Sequence, residues 1–357
     1  MMASCKSLGR VAAIVVISIV CMAATVQAQE RFDGATLRVA TFGGAWRDIM
    51  DHELSPKFAA LGGQLEFVTG SPQANFAKLV AGRGRAPFDV IEILDAQYPE
   101  YAAGKYLAQL DLTKIPNTKY LDPYQFNDRM IASWETQEGI CYNVDKYKAL
   151  GLTPPTTYKD LANPALAGHV MLPDLNSGGG LAGFAGFAYA AGGDEVNFMP
   201  GIALIKSIKG AKFWMQGDQM VLAFQSGDIY AGAAHAGWCL RSLQAGVPVQ
   251  SVHPLIKPGV VGVAKDGRLG IVTTSQNIAA AHWFLNAYID PDYQLAFAVA
   301  DGVVPVSKPA VLKMGQDANF AKMLQLDPAR IAHELRVDYS KVVLSDWADA
   351  WNHMITN

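Results

Sequence analysis

The chain of 357 residues carries 51% hydrophobic and 17% charged side chains, with a formal net charge of −3. It is long enough for two domains around separate cores, or for one large domain. The slightly acidic balance, with no block of basic residues, argues against nucleic acid or an anionic membrane surface as partner.

In chain order, Lys6 and Arg10 precede an apolar run over residues 11–22, followed by "TVQA". The small residues Val26 and Ala28 flank a cut before Gln29, the pattern of a secretory signal peptide over residues 1–28. The run is too short for a comfortable membrane span. The expected mature chain, 29–357, is periplasmic. Cys5 and Cys21 leave with the leader, while Cys141 and Cys239 remain. In an oxidising compartment these two either pair or stay as buried thiols.

"TLRVATFGG" alternates into a strand that stops at Gly43 and Gly44. "AWRDIMDHELSPKFAAL" has helical spacing, with Pro56 as an interruption. "QLEFVTG" is a second strand and "NFAKLVAGRG" a helix. "FDVIEILD" is a nearly continuous apolar run ending in Asp95, as in a buried parallel strand. Strand and helix alternate, which predicts a doubly wound α/β sheet. The pattern then restarts. "ICYN" is extended, "HVMLPDL" runs into a glycine loop and helix, and a helix stopping at Gly227 leads into a strand from Ile229. "IAAAHWFLNAYID", "PDYQLAFAVAD" and "SDWADAWNHMI" close the chain as helices.

The expected architecture is two α/β lobes, each a doubly wound sheet, with a ligand cleft between them. Lobe 1 spans 29–136 plus 267–315, and lobe 2 spans 137–266. A C-terminal helical segment, 316–357, packs on the lobes. Two crossings between lobes make a hinge, and a cleft between lobes is where a ligand sits.

Residues 176–186 read "NSGGGLAGFAG", in which Gly178, Gly180 and Gly183 match G-x-G-x-x-G. A dinucleotide site needs an acid about 20 residues past the loop for the ribose. Asp194 and Glu195 come too early, so no cofactor is expected. Gly183 and Gly186 read as close helix packing.

"VATFGGAWRDIM", "FDVIEILDAQYPEYAAGKYLAQLDLTKIPN", "GICYNVDKYKALGLTPPTTYKDLANPALAGHV" and "FQSGDIYAGAAHAGW" together resemble ABC-transporter solute-binding proteins, nearest the spermidine/putrescine-like group. The likeness extends over essentially the whole mature chain. It implies the type II periplasmic binding fold and a non-catalytic periplasmic receptor, here expected as a monomer, that closes on a small polar solute, a polyamine-like amine or an amine carrying a carboxylate or phosphonate, and delivers it to a permease in the inner membrane. The candidate ligand residues lie at strand ends. Gly43 and Gly44 let backbone N–H groups approach a ligand, and Trp46 offers an aromatic face. Asp95 is either a hydrogen-bond acceptor for the ligand or a helix cap. Ser177, Gly178 and Gly179 occupy the equivalent loop of the second lobe. His235, where the resemblance implies an aromatic ligand residue, and Trp238 follow a later strand.

One stretch departs from the polyamine pattern. In "KPGVVGVAKDG", Pro258 stands where an acid is expected, Val263 near an expected Trp, and Lys265 near an expected Asp. Losing acids and gaining a lysine favours a solute that carries a carboxylate or phosphonate as well as an amine. The histidines show no metal-binding spacing and no nucleophile elbow occurs, so neither a metal nor an enzyme is expected. Two other classes remain open: a ligand-binding partner of a chemoreceptor or kinase, and a secreted enzyme on the same scaffold.

Overall fold

The computed structural model describes residues 30–83 and 85–356; the leader and its two cysteines lie outside them. Twelve strands are formed: β1 (Thr36–Thr41), β2 (Gln64–Thr69), β3 (Val90–Leu94), β4 (Met130–Asn143), β5 (Val170–Pro173), β6 (Lys212–Trp214), β7 (Ala231–His235), β8 (Val249–Val252), β9 (Leu255–Lys257), β10 (Val260–Val261), β11 (Val263–Ile271) and β12 (Leu335–Arg336). All but β9 and β10 join one sheet in the order β2-β1-β3-β11-β4-β7-β5-β6, with β12 on β11 and β8 on β4.

This order explains how two α/β halves make one molecule. Parallel β1, β2 and β3 form the first half, and parallel β5, β6 and β7 the second. Between them run β4 and β11, antiparallel to each other from Val263↔Glu138 to Gly270↔Met130. The far end of β11 pairs with β3, and the far end of β4 pairs with β7 and β8. Every one of the 14 residues of β4 is buried, so this strand is interior to both halves. The two expected α/β halves are thus joined in one continuous curled sheet.

Helices cover the sheet for ordinary reasons. The helix Ala45–Ala59 buries Met50, Leu54 and Phe58 at helical spacing. It runs through Pro56 instead of stopping there. Pro56 lies on the exposed face of the last turn, where solvent can serve the carbonyl left without its N–H partner. Gly186, on the helix Gly180–Ala190, meets the aromatic ring of Tyr158 and Val263 so closely that a Cβ there would lie 2.8 and 2.9 Å from them. Its role is helix packing.

The C-terminal segment is more than helical. Leu335–Arg336 adds a strand to β11, and Gln137 of β4 donates through Nε2 to Glu334 Oε1 at 2.9 Å and to the Gln325 carbonyl at 3.0 Å. The last helix, Leu344–Thr356, buries Trp347 and Trp351 one turn apart against Phe184, with ring centroids 5.0 and 6.0 Å away. Trp351 Nε1 donates to Asp174 Oδ2 at 3.3 Å, which ties the end of the chain to the loop after β5.

Cys141 on β4 is joined to Cys239 on the helix Ala236–Gln244 by a disulfide, with both residues fully buried. The bond closes a loop of 98 residues, and constraining so long a loop in the unfolded chain stabilises the fold. Replacing both cysteines by serine is expected to cost about 2–4 kcal/mol in denaturant unfolding. Reduction of the wild type should reproduce that loss.

Candidate functional site

The first half reaches the cleft through the turn after β1. Thr41, the last residue of the strand, donates from Oγ1 to Glu92 Oε2 at 2.6 Å. Gly44 enters the helix at φ 64° and ψ −144°, a conformation that strains any residue with a side chain. Trp46, the second residue of that helix, donates from Nε1 to Glu92 Oε1 at 3.2 Å. Trp134 of β4 donates from its own Nε1 to the same oxygen. Glu92 is 1% exposed, and burial pushes its carboxyl up to about 7 against the pull of these donors. The indole N–H of Trp46 therefore points inward, and its ring is wedged edge-on against Trp134 and Phe297, at 5.2 and 4.7 Å.

The second half supplies two loops. After β5, Ser177 and Gly178 lie in the turn before the helix Gly180–Ala190, and Lys265 Nζ of β11 donates to the Gly178 carbonyl at 2.6 Å. Ser177 Oγ is buried with no protein partner. Gly179 sits against Glu138 of β4, whose Oε2 is also buried without a partner. Glu138 Oε1 accepts from Thr136 Oγ1 at 3.2 Å and lies 4.0 Å from Lys265 Nζ. Burial pushes the Glu138 carboxyl up to about 7, with Lys265 pulling the other way.

After β7, His235 pairs across the sheet with Glu138, and Trp238 follows in the first turn of the next helix. His235 Nδ1 is buried without a partner. Burial, then the charges of Lys265 and Arg241, hold its imidazole well below its usual range, so it is neutral. The Arg241 guanidinium lies over the Trp238 ring at 4.4 Å and 4.0 Å from Asp301 Oδ1.

These groups border two cavities that meet at Phe42, Gln216 and Lys265. One, of about 470 Å³, is lined by Gly43, Trp46, Trp134, His235, Trp238 and Arg241, among others. The other, of about 670 Å³, is lined by Ser71, Gln73, Asn176, Ser177 and Gly178, and by Leu344 and Ala348 of the last helix. Six of the nine sequence candidates thus face one cleft. Gly44 shapes the turn without lining either cavity, and Gly179 packs on Glu138. Asp95 borders a third cavity of about 330 Å³, with Tyr98 and Arg268. There it accepts from its neighbour Ala96 N at 2.8 Å, and burial, then Asp266, pushes its carboxyl up to about 8.

Sequence reasoning missed Trp134, Thr136 and Glu138 on β4, and Arg241. A usable signal was present: "WETQE" puts two acids inside a strand that is otherwise interior, and buried carboxylates cluster at functional sites. Two of the three departures do not bear on the cleft. Pro258 is exposed at the tip of the β9–β10 hairpin, and Val263 packs in the core of the second half. Lys265 alone reaches it. Among the described residues, no group of three or more His, Cys, Asp or Glu is placed to hold a metal, and no helix is long and apolar enough to cross a membrane.

Comparison with known proteins gives the following. The family profile described as bacterial extracellular solute-binding protein matches residues 49–295. Among solved structures, the chain is similar to an ABC transporter from Clostridium perfringens (TM-score 0.73, 20% identity, covering 89% of this chain and 99% of that one). It is similar to the Atu4243 GABA receptor (TM-score 0.72, 20% identity, 89% and 97%). It is also similar to the spermidine/putrescine substrate-binding protein PotD of Streptococcus pneumoniae (TM-score 0.72, 18% identity, 90% and 99%). No curated protein sequence matches it.

The buried carboxyls make stability depend on pH. Glu92, Glu138 and Asp95 keep protons in the folded state that the unfolded chain has already lost, so stability falls as pH rises toward about 8. Buried His235 and His253 oppose this only below about pH 6.5, where an unfolded histidine charges. Melting temperature is therefore expected to fall between about pH 6.5 and pH 8, and Glu92→Gln to make that fall shallower. A slope unchanged by Glu92→Gln would contradict the assignment.

Proposed function

We infer the function from one premise: the chain belongs to the bacterial extracellular solute-binding proteins, which bind small solutes and work with the permease of an ABC transporter. From it we propose that the mature chain acts in the periplasm as the receptor of an uptake system. It takes one solute between its halves, closes on it and presents the closed form to the permease. The solute is a small polar organic molecule that carries a carboxylate or phosphonate, with or without an amine.

One observation carries this reading. Three buried polar atoms, Ser177 Oγ, Glu138 Oε2 and His235 Nδ1, have no protein partner, and they come from three different elements that meet at the cleft. Leaving a buried polar group unsatisfied costs about 1–3 kcal/mol, so a site of this kind is completed by a ligand. The similarity to a GABA receptor and to a spermidine/putrescine-binding protein agrees with amine-bearing solutes. Gly43, Trp46, Ser177, Gly178, His235 and Trp238 are the contacts proposed from the cleft, with Gly44, Asp95 and Gly179 shaping its edges.

Native mass spectrometry of the protein purified from bacterial periplasm is expected to show a single small solute per chain. Trp46→Ala combined with Ser177→Glu should remove that mass without unfolding the protein. Bound solute at about 100 times Kd should raise stability by about 2.7 kcal/mol. The same added mass on the double variant would overturn the site.

A further inference from the structure

We propose that the solute's acidic group lies between Arg241, Lys265 and His235, and that its body is a hydroxyl-rich chain extending along Ser71, Gln73, Asn176, Ser177 and Gln216. This rests on the receptor reading above and names the substrate class of the same cleft.

The charge argument starts from what the aromatic rings already hold. Lys265 Nζ lies over the Trp134 ring at 5.5 Å, and the Arg241 guanidinium over the Trp238 ring at 4.4 Å. Trp46 is packed edge-on by Trp134, Phe42 and Phe297. Two of the indole rings that line the 470 Å³ cavity thus already carry a cation of the protein itself. A ligand ammonium seeking a cation–π contact would have to displace one. The acids that could neutralise these cations stand back: Glu138 and Asp301 are each 4.0 Å from their partners, at the outer limit of an ion pair. Burial raises both carboxyls, to about 7 and about 6, which weakens them further as counter-ions. Neutral His235 sits beside the two cations with its Nδ1 unpartnered. Two cations and an imidazole around one space suit a planar carboxylate or a phosphonate, because arginine and lysine bind such groups by charge-assisted hydrogen bonds.

The 670 Å³ cavity has a different chemistry. Lys265, at the junction, is its one charged lining residue; five hydroxyl and amide side chains line it beside seven apolar ones, among them Leu94, Leu175, Leu181, Met215 and Leu344. Ser177 Oγ is buried and unpartnered there. Hydroxyls and amides both donate and accept, so they match a chain of hydroxyl groups that also does both. A bare diamine only donates and leaves their donors unanswered. Its N–H groups would also meet the two cations at the other end.

Thermal melts with four probes at equal millimolar concentration test this. Gluconate has the acid and the hydroxyl chain, sorbitol the chain alone, GABA the acid and amine without hydroxyls, and putrescine only amines. Gluconate is expected to raise the melting temperature most, with sorbitol and putrescine giving no shift. Arg241→Gln and Lys265→Met should each weaken gluconate binding at least tenfold in calorimetry. Arg241 is 38% exposed, so its variant keeps the fold, as an unchanged unliganded melt would verify. A larger shift with putrescine than with gluconate overturns the inference, as does gluconate binding that survives both substitutions, or no gluconate shift at all. If putrescine or GABA binds instead, the receptor reading stands and only this assignment falls.

Discussion

A buried carboxylate holds the first half of this molecule to its centre. Glu92, on β3, accepts hydrogen bonds from Thr41 at the end of β1, from Trp46 at the start of the next helix and from Trp134 on β4. Its partners are 42 to 51 residues away in sequence, so it ties together elements that the chain builds separately. Desolvating a carboxylate is costly, and donors that converge on it offset the cost only when all are in place. The orientation of Trp46, and with it the wall of the smaller cavity, follows from that requirement. A residue that touches no proposed ligand thereby sets which face of an indole the cleft presents.

The second constraint is the pair β4 and β11. Because β4 is interior to both halves, its side chains cannot all be apolar without closing the cleft, and cannot be polar without partners. The structure settles this by position. Trp134 answers Glu92, Thr136 answers Glu138, and Gln137 and Glu135 are answered by Glu334, Gln325 and Arg336 of the C-terminal segment. Ser133 Oγ, Glu135 Oε1 and Glu138 Oε2 stay buried and unanswered, and of these Glu138 is the one whose carboxyl lies beside Lys265. The C-terminal segment is in this sense part of the centre of the molecule, since it satisfies polar groups on the strand that joins the halves.

The order of strands and helices was legible because it rests on local signals: alternation in Thr36–Thr41, the apolar run at Val90–Leu94, and the left-handed stop at Gly227, φ 77°. Pro56 misled because its cost depends on exposure, which a local reading does not carry. The loops at strand ends could be read locally, and the structure places Gly43, Trp46, Ser177, Gly178, His235 and Trp238 along the cleft. Glu92 and the β4 residues escaped notice because their meaning lies in long-range contacts. The comparison at Pro258 and Val263 failed for a related reason. Spacing places residues along a chain, but whether a strand residue faces core or cleft changes as the strand passes from one half to the other. Lys265, two residues beyond Val263, is on the cleft side of that change.

The disulfide and the Glu92 hub together have a mechanical consequence. The hub fastens β4 to the first half at Trp134, and the disulfide fastens it to the second half at Cys141. Both ends of the strand are clamped, one by hydrogen bonds and one covalently. Residues 135–140 are the short span of β4 left between the clamps. That span contains Gly139 and carries Thr136, which lines the smaller cavity, and Glu138, which accepts from Thr136. The strand that joins the two halves therefore also supplies, between its two fastenings, part of the wall of the proposed binding cavity.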